Sequence, residues 1–201
     1  MAKLKSPLIY FLLTIAAIGL LAFLGPEEKS LGSNVRIIYL HGAWVLTAEI
    51  SFFAAALAGL LGFVLRKDHF HAWSAALGRT GLFFWLTYLP LSLWAMESNW
   101  NGLFLAEPRF RLAMLFAVSG TLLQAGLWIV DSAWLTSLGN ILFIIILRLT
   151  FASAQNIMHP PPSPIFSSGN FSIIAFFLLL NLLAWVAAYF LTRSFLSIKP
   201  D

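Results

Sequence analysis

The residues of this chain that could hold a ligand are two histidines and a compact set of aromatics and cations. His41 sits in the run Arg36-Ile37-Ile38-Tyr39-Leu40-His41-Gly42-Ala43-Trp44. The stretch Trp94 to Arg111, WAMESNWNGLFLAEPRFR, interleaves Trp94, Trp100, Leu103, Phe104 and Leu105 with Glu97, Glu107, Arg109 and Arg111. His159 opens a proline run. Neutral imidazole is an axial metal ligand, aromatic and aliphatic side chains wall a flat apolar molecule, and guanidinium groups bind carboxylates in a fork. Two imidazoles, His41 and His159, would serve as the axial ligands of a heme iron. Trp44, Trp94, Trp100 and Phe104 would then be walls, and Arg36, Arg109 and Arg111 would face the propionates. Plainer uses exist for each. A histidine at a helix end also hydrogen-bonds at the membrane interface, tryptophans anchor at the headgroups, and arginines solvate loops. From the residues alone these readings stay open. The chain has no cysteine, which excludes a thiolate site, a disulfide and covalent heme attachment, so a heme here would be non-covalent heme b.

The elements that must position these residues are membrane helices. Hydrophobic residues make up 60% of the 201 and charged residues 10%, with a mean hydropathy of +0.88, whereas a soluble domain carries about 25% charged residues. The expected fold is an all-α integral membrane protein, one domain over 1–201, with six transmembrane helices over 7–24, 37–65, 80–96, 112–130, 133–152 and 171–191. At about 1.5 Å per residue, runs of this length approach or exceed the roughly 30 Å hydrocarbon layer. The first run begins after Lys3 and Lys5 in the manner of a signal peptide, but Gly25-Pro26-Glu27-Glu28 is no small-residue cleavage site, so a retained helix is expected. Residues 70–79 read as a mixed loop, Pro90 predicts a kink in the third helix, and Asp131-Ser132 predicts a tight turn.

Charge sets the orientation. Six spans put Lys3, Lys5, Arg66, Lys67, Arg79, Arg193 and Lys199 on the side of the termini, and Lys29, Arg36, Arg109 and Arg111 opposite. Seven against four predicts cytoplasmic termini. The loops 25–41, 94–111 and 153–170 then share the extracytoplasmic face of the cytoplasmic membrane. The net charge of +4 records this topology and gives no sign of nucleic-acid binding. Glu49 and Arg148, each inside an apolar run, are expected to face the bundle and pair as an interhelical pin. Gln124, Asn140 and Asn181 are expected to form interhelical hydrogen bonds. His69 and His71, beside Asp68, read as a solvated loop.

The local wording resembles the heme-handling protein C (heme exporter protein C) branch of the cytochrome c assembly family. Residues 36–44 are similar to that family's Arg-Ile-x-Tyr-x-His start of helix two, and Ser92-Leu93-Trp94 to its Ser-Leu-Trp at the end of helix three. Residues 100–109 fall where the family has Trp-Gly-Thr-Trp-Trp-x-Trp-Asp-x-Arg. Trp100 and Arg109 are kept there, the acidic position is Glu107, and Leu103, Phe104 and Ala106 replace tryptophans. Asn156-Ile157-Met158-His159-Pro160 resembles its Asn-Thr-Leu-His-Gln-Pro. The resemblance implies that His41 and His159 ligate heme iron. It also implies that the outer loop presents heme to a membrane-anchored heme chaperone, beside an ABC transporter and a small single-span subunit, without turnover chemistry. The alternatives are a structural, non-delivering subunit of a larger membrane complex descended from that family, a b-type electron-transfer cytochrome, and a small-molecule permease. No paired broken helices at the midplane favour the last.

Overall fold

In the computed structural model the described residues are 6–155 and 165–197. They form α1 (Pro7–Phe23), α2 (Val35–Leu65), α3 (Asp68–Trp100), α4 (Pro108–Val130), α5 (Ala133–Ala152), a 3-10 turn (Phe166–Ser168) and α6 (Phe171–Ser197). Apart from one bridge between Glu28 and Gly32, the regular structure among the described residues is helical. Four helices, α2, α4, α5 and α6, are long and apolar enough to cross a membrane. The 17-residue α1 is shorter, and the 33-residue α3 carries Asp68, His69, His71, Arg79 and Glu97.

The core forms where α2 and α3 lie along one another. Trp44 of α2 packs on Phe84 of α3 with ring centroids 5.5 Å apart, and Phe52 on Trp85 at 6.2 Å. Phe143 of α5 meets Phe52 at 4.9 Å, and Phe116 of α4 meets Phe143 at 5.7 Å. The buried Trp85 indole needs an acceptor and donates to the Ala113 carbonyl of α4 at 3.0 Å. Small residues let the backbones approach, as expected where lipid gives apolar helices no reason of their own to associate. A Cβ on Gly81 would lie 2.6 Å from the Phe52 ring, and one on Gly59 3.0 Å from Ser137. On the far side, α1 joins α6 through Tyr10 and Phe190, 5.2 Å apart.

Three expectations are corrected. Residues 70–79 are the start of α3. Their composition is mixed because His71, Ser74, Ala76 and Gly78 are buried against neighbouring helices while His69 faces outward. His71 is therefore no loop residue: its Nδ1 lies 2.7 Å from Ser137 Oγ of α5. Asn181 does not bridge helices, since its amide donates to the Phe177 carbonyl one turn back in α6. The other polar expectations hold. Gln124 of α4 donates to Asn140 of α5 at 2.8 Å, and Asn140 donates to the Ser74 carbonyl of α3 at 2.9 Å. Asp131, with φ 47°, ends α4 in the expected turn. Pro90 lies within α3.

Candidate functional site

A cavity of about 510 Å³ opens at the end of the bundle where α2 and α4 begin and α3 and α5 finish. Its wall repeats a helical spacing. From α2 come His41, Val45 and Glu49, four residues apart, and from α3 Tyr88, Ser92, Met96 and Trp100. Residues i, i+4 and i+8 project from one helix face. Glu107, Arg109 and Phe110 close it from α4, and Arg148, Phe151 and Ala152 from α5. The volume is within the roughly 300–1,000 Å³ of small-molecule and cofactor pockets.

Local structure explains how these side chains are held. The segment Trp94–Arg111 is mostly helical. Asn101, with φ 54°, stops α3 and leaves a connector of residues 101–107. Pro108 then starts α4, with no amide hydrogen to leave unsatisfied at that position. Glu107 is the N-cap, its carboxylate accepting the Phe110 backbone N–H at 2.7 Å, and so fixes the turn that carries Arg109 and Phe110 into the cavity. At the neighbouring helix ends, the Asn34 amide donates to the Ser98 carbonyl at 2.8 Å and ties the start of α2 to α3. The imidazole of His41 lies against Tyr88, ring centroids 5.5 Å apart.

Of the residues singled out as cofactor-binding, His41, Trp100, Glu107 and Arg109 meet in this cavity. Trp44, Trp94, Phe104, Arg36 and Arg111 do not line it. Trp44 is core, buried on Phe84 of α3. Trp94 is 59% exposed on the outside of α3. Phe104 is exposed and packs edge-on against Trp100 at 5.8 Å. Arg36 holds the connector before α2, donating to the Gly25 carbonyl at 3.0 Å and to Glu27 at 3.3 Å. Arg111 lines a separate groove of about 350 Å³ with Thr150 and Ser153. His159 lies outside the described residues.

Sequence reasoning predicted the pair Glu49–Arg148 as a pin between helices, and it is one, with Arg148 Nη1 donating to Glu49 Oε2 at 2.8 Å. Both groups also line the cavity, in keeping with the eight-residue spacing that puts Glu49 on nearly the same helix face as His41. Tyr88, Ser92 and Met96, hidden in an apolar run, gave no chemical signal. The cavity thus combines one imidazole, aromatic and thioether walls, two guanidinium groups and two carboxylates. Such a lining offers a ligand both apolar surface and charged hydrogen-bonding groups. No family model, curated protein or solved structure matches the chain.

Proposed function

We propose that this is a heme-handling membrane protein of cytochrome c maturation, similar to the cytochrome c assembly family, that receives heme b in the cavity and presents it without turnover chemistry. The observation that carries this reading is the meeting in one cavity of His41 with Trp100 and Arg109, drawn from two stretches of sequence more than fifty residues apart. Heme is the cargo. His41 would offer its imidazole to the iron, Trp100, Phe110 and Phe151 would cover the ring, and Arg109 would face a propionate. His159, seven residues beyond Ala152 of the cavity wall in sequence, would be the second axial ligand. A site built from helix ends and a short connector would release its cargo when a partner supplies a competing histidine.

In the same reading all six helices span the cytoplasmic membrane with both termini cytoplasmic, and the cavity opens on the extracytoplasmic face. The packing of α3 along α2, and of α1 along α6, supports six spans. The partners would be an ABC transporter, a small single-span subunit and a membrane-anchored heme chaperone. A second reading, a non-delivering subunit of a larger complex, is favoured by Leu103, Phe104 and Leu105, which stand exposed outside the cavity where a partner would cover them.

One experiment tests the first reading. Detergent-purified protein incubated with hemin is expected to give a bis-imidazole Soret band and sharp visible bands on reduction. His41→Ala and His159→Ala should each abolish that low-spin signature. Protein that shows no such signature, or keeps it with both histidines replaced, contradicts the proposal.

A further inference from the structure

We propose that Arg148 is a carboxylate-binding residue of the cavity, and that Glu49 competes with the ligand for it. This rests on the reading of the cavity as a porphyrin site, and it adds a cation that the motif-bearing stretches do not contain.

The argument begins with what the pair looks like. Arg148 and Glu49 are joined by one hydrogen bond, Nη1 to Oε2 at 2.8 Å, although guanidinium has five N–H donors in a fork made for both oxygens of a carboxylate. An internal pin with no other task would be expected to use that fork and to be shut away by its neighbours. Here the side chain of Arg148 remains 59% exposed and that of Glu49 25%, and both border the cavity. Donors on Arg148 are therefore left for a second acid.

Position fits the same role. Arg148 is four residues from the end of α5, about 6 Å along the axis, within the part of α5 that lines the cavity. Glu49 is eight residues from His41, about 12 Å along α2. Arg109 enters from α4 and Arg148 from α5, which supplies two cations for a ligand with two acidic arms. Glu49 neutralises Arg148 within the helical bundle until such an arm arrives, since a lone charge there is costly. A ligand carboxylate on the remaining donors then shares the guanidinium's charge with Glu49, so that each weakens the hold of the other.

The test uses the full-length protein in detergent and three probes: metal-free protoporphyrin IX followed by fluorescence, its dimethyl ester, and hemin. Protoporphyrin IX should bind the native protein more tightly than the ester. Arg148→Met should weaken protoporphyrin IX binding about tenfold, the scale of one hydrogen bond to a charged group, and leave the ester unchanged. Arg148→Lys should recover part of the loss. Glu49→Gln should tighten protoporphyrin IX binding and again leave the ester unchanged.

Equal binding of the free acid and the ester by the native protein overturns the inference without requiring any variant to fold. So does a Glu49→Gln protein that binds protoporphyrin IX more weakly, which would make Glu49 a positioning residue. Hemin that binds without a bis-imidazole spectrum, alongside protoporphyrin IX binding that depends on Arg148, would remove the axial-ligand reading and keep this one. Failure of every porphyrin to bind removes both.

Discussion

Replacing Glu107 separates two explanations for an acidic residue beside the cavity. As a charge, it would act on the cargo or on Arg109. As a cap, it acts through the backbone: its carboxylate accepts the Phe110 N–H at 2.7 Å and closes the first turn of α4, the turn that delivers Arg109 and Phe110 to the cavity wall. Loss of a helix N-cap costs about 1 kcal/mol, with a range of roughly 0.5–2. If hemin binds only with that turn formed, the apparent Kd rises by the inverse of the fraction formed, so about 1 kcal/mol gives at most about a fivefold weakening. Glu107→Ala is therefore expected to bind hemin up to about fivefold more weakly. Glu107→Ser, which keeps an acceptor at the cap and discards the charge, should recover most of the loss. Hemin titrations followed at the Soret band, with hydrogen exchange at the Phe110 amide, measure both links. A Glu107→Ser protein as weak as Glu107→Ala, with the Phe110 amide protected, refutes the capping argument and returns Glu107 to a role through its charge.

The remaining predictions concern the frame. Gly78→Ala would set a methyl 2.6 Å from Asn140 Oδ1 and dislodge the hydrogen bonds of Asn140 to Ser74 and Gln124; at about 0.6 kcal/mol per bond plus overpacking, a loss of about 2–3 kcal/mol is expected. In SDS titrations of the detergent-solubilised protein, Asn140→Ala should absorb much of that cost because it frees the space, and simple additivity would count against the contact. Gly62→Ala, whose methyl would fall 2.6 Å from the His71 ring, should cost about 1–3 kcal/mol by the same titration. Gly102→Ala, which meets nothing within 4 Å, should stay within about 0.5 kcal/mol of the parent. In the connector before α2, hydrogen bonds from the Ser30 hydroxyl and backbone N–H hold the Glu28 carboxyl below the usual carboxylate range. A depressed folded value means that the turn's stabilisation is full above the ordinary carboxylate pKa and lost as pH falls through the depressed one. Protection of the Ser30 and Leu31 amides, taken relative to their intrinsic exchange rates, should be lost only in that acidic window, and Ser30→Ala should move the onset at Leu31 to higher pH; protection that is flat with pH would refute the assignment.

Helix type and number were legible in the sequence because apolar runs of this length have few alternatives once composition points to lipid. Boundaries were less legible where a helix is buried by other helices. Residues 70–79 read as a loop because they are polar and small, yet those are the properties that let α3 seat His71 on Ser137 and Gly78 beside Asn140. Polarity marks a loop only if water is the neighbour, and here the neighbours are α2 and α5.

The site divides in the same way. His41, Trp100, Glu107 and Arg109 could be found because charge and aromatics at helix ends stand out from apolar surroundings. Trp44 and Trp94 stood out equally and belong elsewhere, one in the core and one on the outer surface. Residue type alone could not tell them apart; the side of each helix that the cavity occupies does. Starting from His41, steps of four reach Val45 and Glu49 and miss Trp44. Starting from Trp100, the same steps backward reach Met96, Ser92 and Tyr88 and miss Trp94. Both series line the cavity. Phase also gives the ion pair its second meaning. Glu49 could have met Arg148 anywhere along the contact of α2 with α5, but on the face it shares with His41 the pair becomes part of the cavity wall. A pin at that address holds two helices together and at the same time keeps a guanidinium within reach of whatever enters.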